Sequence, residues 1–120
     1  MSGLDPLAEF LAAEAARPGV EGDCGRFLAR WVATRAATPI DASGPQFGGK
    51  PSNLYRIVAR CCKSLRLAET NYPKRGDVAV VRVGNATMAA ICTGRGWVAK
   101  TERGVLIVND GDAIRSWKVA

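Results

Sequence analysis

Residues 75–83 read Arg-Gly-Asp-Val-Ala-Val-Val-Arg-Val, and at this stretch the apolar period of the chain changes. Before it, apolar residues recur at helical spacing. From Val78 onward, short β-branched runs are separated by glycine-containing turns, the pattern of strands. Gly76-Asp77 marks the strand entry, where a short carboxylate can accept backbone hydrogen bonds. Downstream of 78–83, residues 87–93, 97–100, 105–108 and 113–119 read as four further strands. Gly84-Asn85, Gly94-Arg95-Gly96, Arg103-Gly104 and Asn109-Asp110-Gly111 separate them, which predicts antiparallel hairpins.

Working back toward the amino end, the chain is helical in pattern. Asp5 is placed to cap a helix with Pro6 at its first position, running through Leu7, Phe10 and Leu11 until Arg17-Pro18-Gly19 ends it. Gly22 supplies a turn and Asp23 an N-cap for a second helix that begins at Cys24 and fades near Ala37, before Pro39, with Phe27, Leu28, Trp31 and Val32 as its apolar face. Residues 38–51, with Gly44-Pro45, Gly48-Gly49 and Pro51, form a loop by composition, and Ser52 and Asn53 offer caps for a third helix through Leu65. Helices followed by a meander predict an α+β fold, the helices packed on a carboxy-terminal antiparallel five-strand sheet or small barrel. The 120 residues suffice for one domain, with a helical half over 1–75 and a β half over 76–120.

Composition narrows the function classes. No run of about 20 apolar residues is present for a membrane span, and Asp5, Glu9 and Glu14 occupy the region where a Sec-type signal would be basic and then hydrophobic. The four cysteines include no CxxC pair and the chain has no histidine, so neither a zinc site nor a disulfide framework is expected, and no cofactor is implied. Reduced thiols in a protein made in the cytoplasm follow. Cys61, Cys62 and Cys92 read as core residues, Trp31, Trp97 and Trp117 as core anchors. Charge is uneven: residues 1–25 carry one basic and five acidic groups, residues 26–75 carry ten and two, and the whole chain is +6. Arg56, Arg60, Lys63 and Arg66, at steps of four, three and three, share one helical face opposite Leu54, Ile57, Val58 and Cys61. That face is either a solvated surface or a contact for an anionic partner: nucleic acid, a cell-wall polymer or an acidic protein.

Cys24 has a chemistry of its own. At a helix start, unpaired backbone N–H groups and the helix dipole favour a thiolate, which lowers a cysteine pKa. A thiol hydrolase also needs a group to take the thiol proton and return it to the leaving amine, a role usually held by histidine. With no histidine, Cys24 reads either as a nucleophile without its base or as a small buried hydrophobe.

The order of Gly22-Asp23-Cys24-Gly25 opening a helix, Arg75-Gly76-Asp77-Val78 opening a strand and Ala90-Ile91-Cys92-Thr93-Gly94 ending the next strand resembles the NlpC-type cell-wall endopeptidases, which are papain-like cysteine hydrolases. The resemblance covers about residues 20 to 120. It implies that Cys24 matches the nucleophile and Gly76-Asp77 the strand entry, that Met88 stands where the family has its catalytic histidine, facing Cys24, and that the third polar position falls at Ala99 or Lys100. The closing Ala113-Ile114-Arg115-Ser116-Trp117-Lys118-Val119 is similar to small phage- and prophage-encoded relatives that lack the histidine. The implied function is a virion component at a phage tail tip, made in the bacterial cytoplasm, in which a hydrolase fold serves as a structural or docking module among other tail proteins. The alternative is a cysteine hydrolase of cell-wall peptides, with protons carried by water, Lys100, Asp77 or a partner chain. A third reading, nucleic-acid binding, rests on charge alone.

Overall fold

The computed structural model describes residues 5–19, 23–36, 40–42 and 54–119, with Asp23 and Cys24 described by backbone alone. Three helices precede a six-stranded antiparallel sheet: α1 (Pro6–Ala15), α2 (Asp23–Arg35), α3 (Leu54–Ser64), then β1 (Ala68–Thr70), β2 (Val78–Val83), β3 (Ala86–Cys92), β4 (Trp97–Thr101), β5 (Gly104–Val108) and β6 (Asp112–Lys118). This is an α+β fold. The turn at Gly22, most of the 38–51 loop and the Ser52 and Asn53 caps lie outside the described residues.

Local chemistry accounts for the helices. Asp5 caps α1 by accepting the Ala8 N–H at 2.9 Å, with Pro6 at the first helical position. α3 ends in a Schellman motif: the Arg66 N–H donates to the Lys63 carbonyl and the Leu67 N–H to the Cys62 carbonyl. Arg66 takes the left-handed position at φ 58°, so it lies beyond the helix and does not continue its stripe.

The sheet order is β1-β6-β2-β3-β4-β5. The five strands expected from the sequence are present within a residue or two of their expected limits, and a sixth, β1, pairs with β6 from Ala68↔Lys118 to Thr70↔Ser116. On one face the register aligns Trp117, Val78, Ile91 and Val98, and onto this row pack Leu7 of α1, Phe27, Leu28 and Trp31 of α2, and Leu54, Val58 and Cys62 of α3. Alternation turns the next row, Ser116, Ala79, Ala90 and Ala99, to the opposite face.

The sheet is strongly curled, and chain length requires it. Only residues 109–111 join β5 to β6, which are four strand intervals apart. Four Cα steps reach about 15 Å, whereas four intervals in a flat sheet span about 19 Å. The connection therefore lies over the face opposite the helices, where it meets Val81, Val83 and Trp97. Alanines at positions 79, 90 and 99 leave room for the curl, and an irregularity between Val80 and Val81 in the β2–β6 pairing increases it. Ala79, Val81, Ala90, Cys92 and Trp97 form a second buried cluster under this cover.

Candidate functional site

The amino end of α2 is where the sequence places the reactive thiol, and Cys24 is the second residue of that helix. α2 crosses β3 and β4 and is locked to the start of β2: Trp31 is buried and its indole Nε1–H donates to the Gly76 carbonyl at 2.6 Å. Gly76 holds φ +97°, a conformation L-residues rarely adopt, while its N–H donates to the Cys92 carbonyl. Phe10 of α1 stacks against both Phe27 and Trp31, at centroid separations of 5.6 and 5.4 Å.

Of the positions that the resemblance sets around Cys24, Met88 and Ala99 lie on the sheet face away from α2. Met88 packs with Val83 against the cluster of Ala79, Val81, Ala90, Cys92 and Trp97, on the face of the sheet away from the helices. The expectation that Met88 faces Cys24 is thereby corrected. Ala89 and its alternate Ile91 turn into the helical core, so by parity Met88 points the other way. Ala99 pairs with Ala90 and shares that outer face.

Lys100 does lie on the helical side, but its ammonium has another task. Nζ donates to the carbonyls of Glu14 at 2.6 Å and Arg17 at 2.7 Å, satisfying the carboxy end of α1. Asp77 is equally committed. Its carboxylate accepts the Lys74 N–H at 2.9 Å and the Val119 N–H at 3.0 Å, tying the strand entry to the end of β6. Both side chains are engaged with backbone groups that they hold in place.

The remaining thiols are buried. Burial pushes the Cys61 thiol up to about 11, and burial together with the neighbouring Cys61 pushes Cys62 higher still. Among the described residues, no group of three or more histidine, cysteine, aspartate or glutamate side chains is arranged to hold a metal ion.

The basic stripe forms one wall of a groove. Arg56, Arg60 and Lys63 are exposed on α3, while Leu54, Ile57, Val58 and Cys61 opposite them are buried. Between α3 and the β6–β1 side of the sheet lies a depression of about 360 Å³ lined by Ala59, Arg60, Lys63, Leu67, Glu69, Arg115 and Trp117. Arg115 was read from the sequence only as part of a closing motif. Here its guanidinium donates to Glu69 and lies 5.1 Å from the Trp117 ring centroid. Glu69 first, and Tyr55 after it, raise the Arg115 pKa, and the bond from Arg115 holds the Glu69 carboxyl below the usual carboxylate range. The sequence signal for this partner was the alternation of Arg115 with Trp117 on one strand face; the pairing that brings β6 beneath α3 is non-local.

A second cleft, about 250 Å³, opens between the start of α1 and the end of α2, with Arg35 and Arg75 at its sides. Arg75 is held there by Asp5 at 2.9 Å and by the Thr93 carbonyl. No described helix is long and apolar enough to cross a membrane. In comparisons with known proteins, no family model, no curated protein and no solved structure matches this chain.

Proposed function

We propose that this chain is a non-hydrolytic docking module with an NlpC-type, papain-like layering, a tail-tip component of a phage or prophage virion that is assembled with other tail proteins in the bacterial cytoplasm. The observation that carries the reading is that, among the described residues, the two side chains offered as proton carriers in place of a histidine are bound to backbone groups elsewhere. The chain has no histidine, and the two titratable residues named as substitutes, Asp77 and Lys100, spend their side chains on backbone groups. A thiolate alone can acylate, but amine expulsion and deacylation both need proton delivery, worth about 10²–10⁴-fold in rate. The basic α3 surface, by contrast, is well supplied for association, because exposed charge steers encounter more than it stabilises a fold.

The test uses purified particles and purified protein. The protein is expected in the tail fraction by mass spectrometry, Cys24→Ala is expected to leave infectivity intact, and isolated cell walls should release no peptide. Peptide release that disappears in Cys24→Ala would make the chain a hydrolase with an unconventional base. Absence from the particles would remove the tail assignment.

A further inference from the structure

We infer that the groove between α3 and the β6–β1 side of the sheet binds an acidic, partly apolar peptide segment of a partner protein. The inference rests on the docking reading above and gives it a place and a chemistry. Tyr55, Ala59 and Lys63 follow at i, i+4 and i+8 along one ridge of α3, and the small Ala59 at its centre opens the depression over Leu67 and Trp117. Its volume of about 360 Å³ is at the lower end of ligand-site sizes, suited to a few side chains.

The charges select the ligand. Arg60, Lys63 and Arg115 line the groove, Arg56 and Arg66 are exposed on the same element and its cap, and the Lys63 ammonium enters no ion pair among the described residues. Arg115 is pre-organised by Glu69 and the Trp117 ring, so little side-chain freedom is lost when an anion arrives beside it. Glu69 decides between anions. A nucleic-acid strand carries a phosphate at every nucleotide and would set one against this carboxylate. A peptide places carboxylates only at some residues and offers backbone N–H groups that Glu69 can accept. The apolar lining of Ala59, Leu67 and Trp117 also suits aliphatic side chains better than sugar-phosphate.

The probe is a fluorescein-labelled peptide of alternating Glu and Leu, titrated into the full chain, with amide chemical shifts mapping the site. Shifts are expected at Ala59, Arg60, Lys63, Leu67, Glu69, Arg115 and Trp117, and affinity should fall with added salt. Arg60→Glu with Lys63→Glu should weaken binding by about tenfold or more. Arg95→Glu, the same charge change on the exposed β3–β4 turn, should leave it unchanged. Circular dichroism melting establishes that each variant is folded. Shifts spread evenly over all cationic surfaces would overturn the inference, as would an oligothymidylate of equal charge that binds as tightly and is lost to the same double variant. Cell-wall peptide release measured on the same preparation separates the two claims. Hydrolysis with an intact groove defeats the docking reading alone, and a silent groove without hydrolysis defeats this inference alone.

Discussion

Arg66 occupies a backbone position, φ 58°, that glycine fills in most helix ends of this kind. The Cβ of an L-residue there is crowded by the following carbonyl, at a cost of about 1–2 kcal/mol. Arg66→Gly is therefore expected to stabilise the chain by about 1 kcal/mol, read as a higher urea midpoint at unchanged slope. Arg66→Ala keeps the strain and should leave the midpoint nearly where it is. The sequence spacing set Arg66 as the fourth cation of a helical stripe, and only the hydrogen bonds of the cap reveal that the helix has already ended. The arginine at this position sets one more positive charge beside the groove.

At the scale of the element, α1 is attached through a buried charge cluster. Glu14 is 3 % exposed and accepts from Arg17 at 2.7 Å and from Arg30 at 2.6 Å, with the Lys100 ammonium 3.5 Å away. Burial alone pushes the Glu14 carboxyl up, but the bonds from Arg30 and Arg17 and the charges of Arg30 and Lys100 outweigh it and hold the pKa below its ordinary 4.5. A depressed carboxylate contributes stability that is complete above its unfolded value and is lost as pH falls through the folded one. Thermal stability should therefore drop as pH is lowered below about 4.5, and Glu14→Gln should flatten that slope. The slope should not vanish, because Asp5 and Glu69 are also held low. At neutral pH the same change should cost about 3 kcal/mol, since it leaves the buried Lys100 ammonium and the half-buried Arg30 facing an amide. The cap of α1 could be read from Asp5-Pro6, a local pattern, whereas the role of Glu14 depends on partners 16 and 86 residues away.

At the scale of the whole molecule, the curl of the sheet depends on two glycines, Gly111 in the β5–β6 connection and Gly96 of the β3–β4 turn that packs against its start. A Cβ on Gly111 would stand 2.3 Å from Val81 Cγ1, and one on Gly96 would stand 2.4 Å from the Val108 carbonyl oxygen. Gly111→Ala is expected to destabilise by about 1–3 kcal/mol, as overpacking does in a filled core. Gly96→Ala should cost more, since a backbone atom gives way less easily than a side chain. Differential scanning calorimetry of both variants checks the order, and equal stability of Gly111→Ala and the parent would count against the covered face. By itself the sequence determined the succession of helices and then antiparallel strands, five of the six strands, the Asp5 cap, the buried faces of α2 and α3, and the lack of a histidine. These are properties of period, turn chemistry and composition, which act within a few residues. Only the tertiary structure decided that β6 lies between β1 and β2, and that Ala68-Glu69-Thr70, which has no strand pattern of its own, becomes a strand by pairing with it. It also decided which sheet face receives Met88, that Lys100 is spent on α1, and that Arg115 completes the cationic wall begun by Arg60 and Lys63. Those outcomes follow from register and chain closure between distant segments, and no local period in the sequence encodes them.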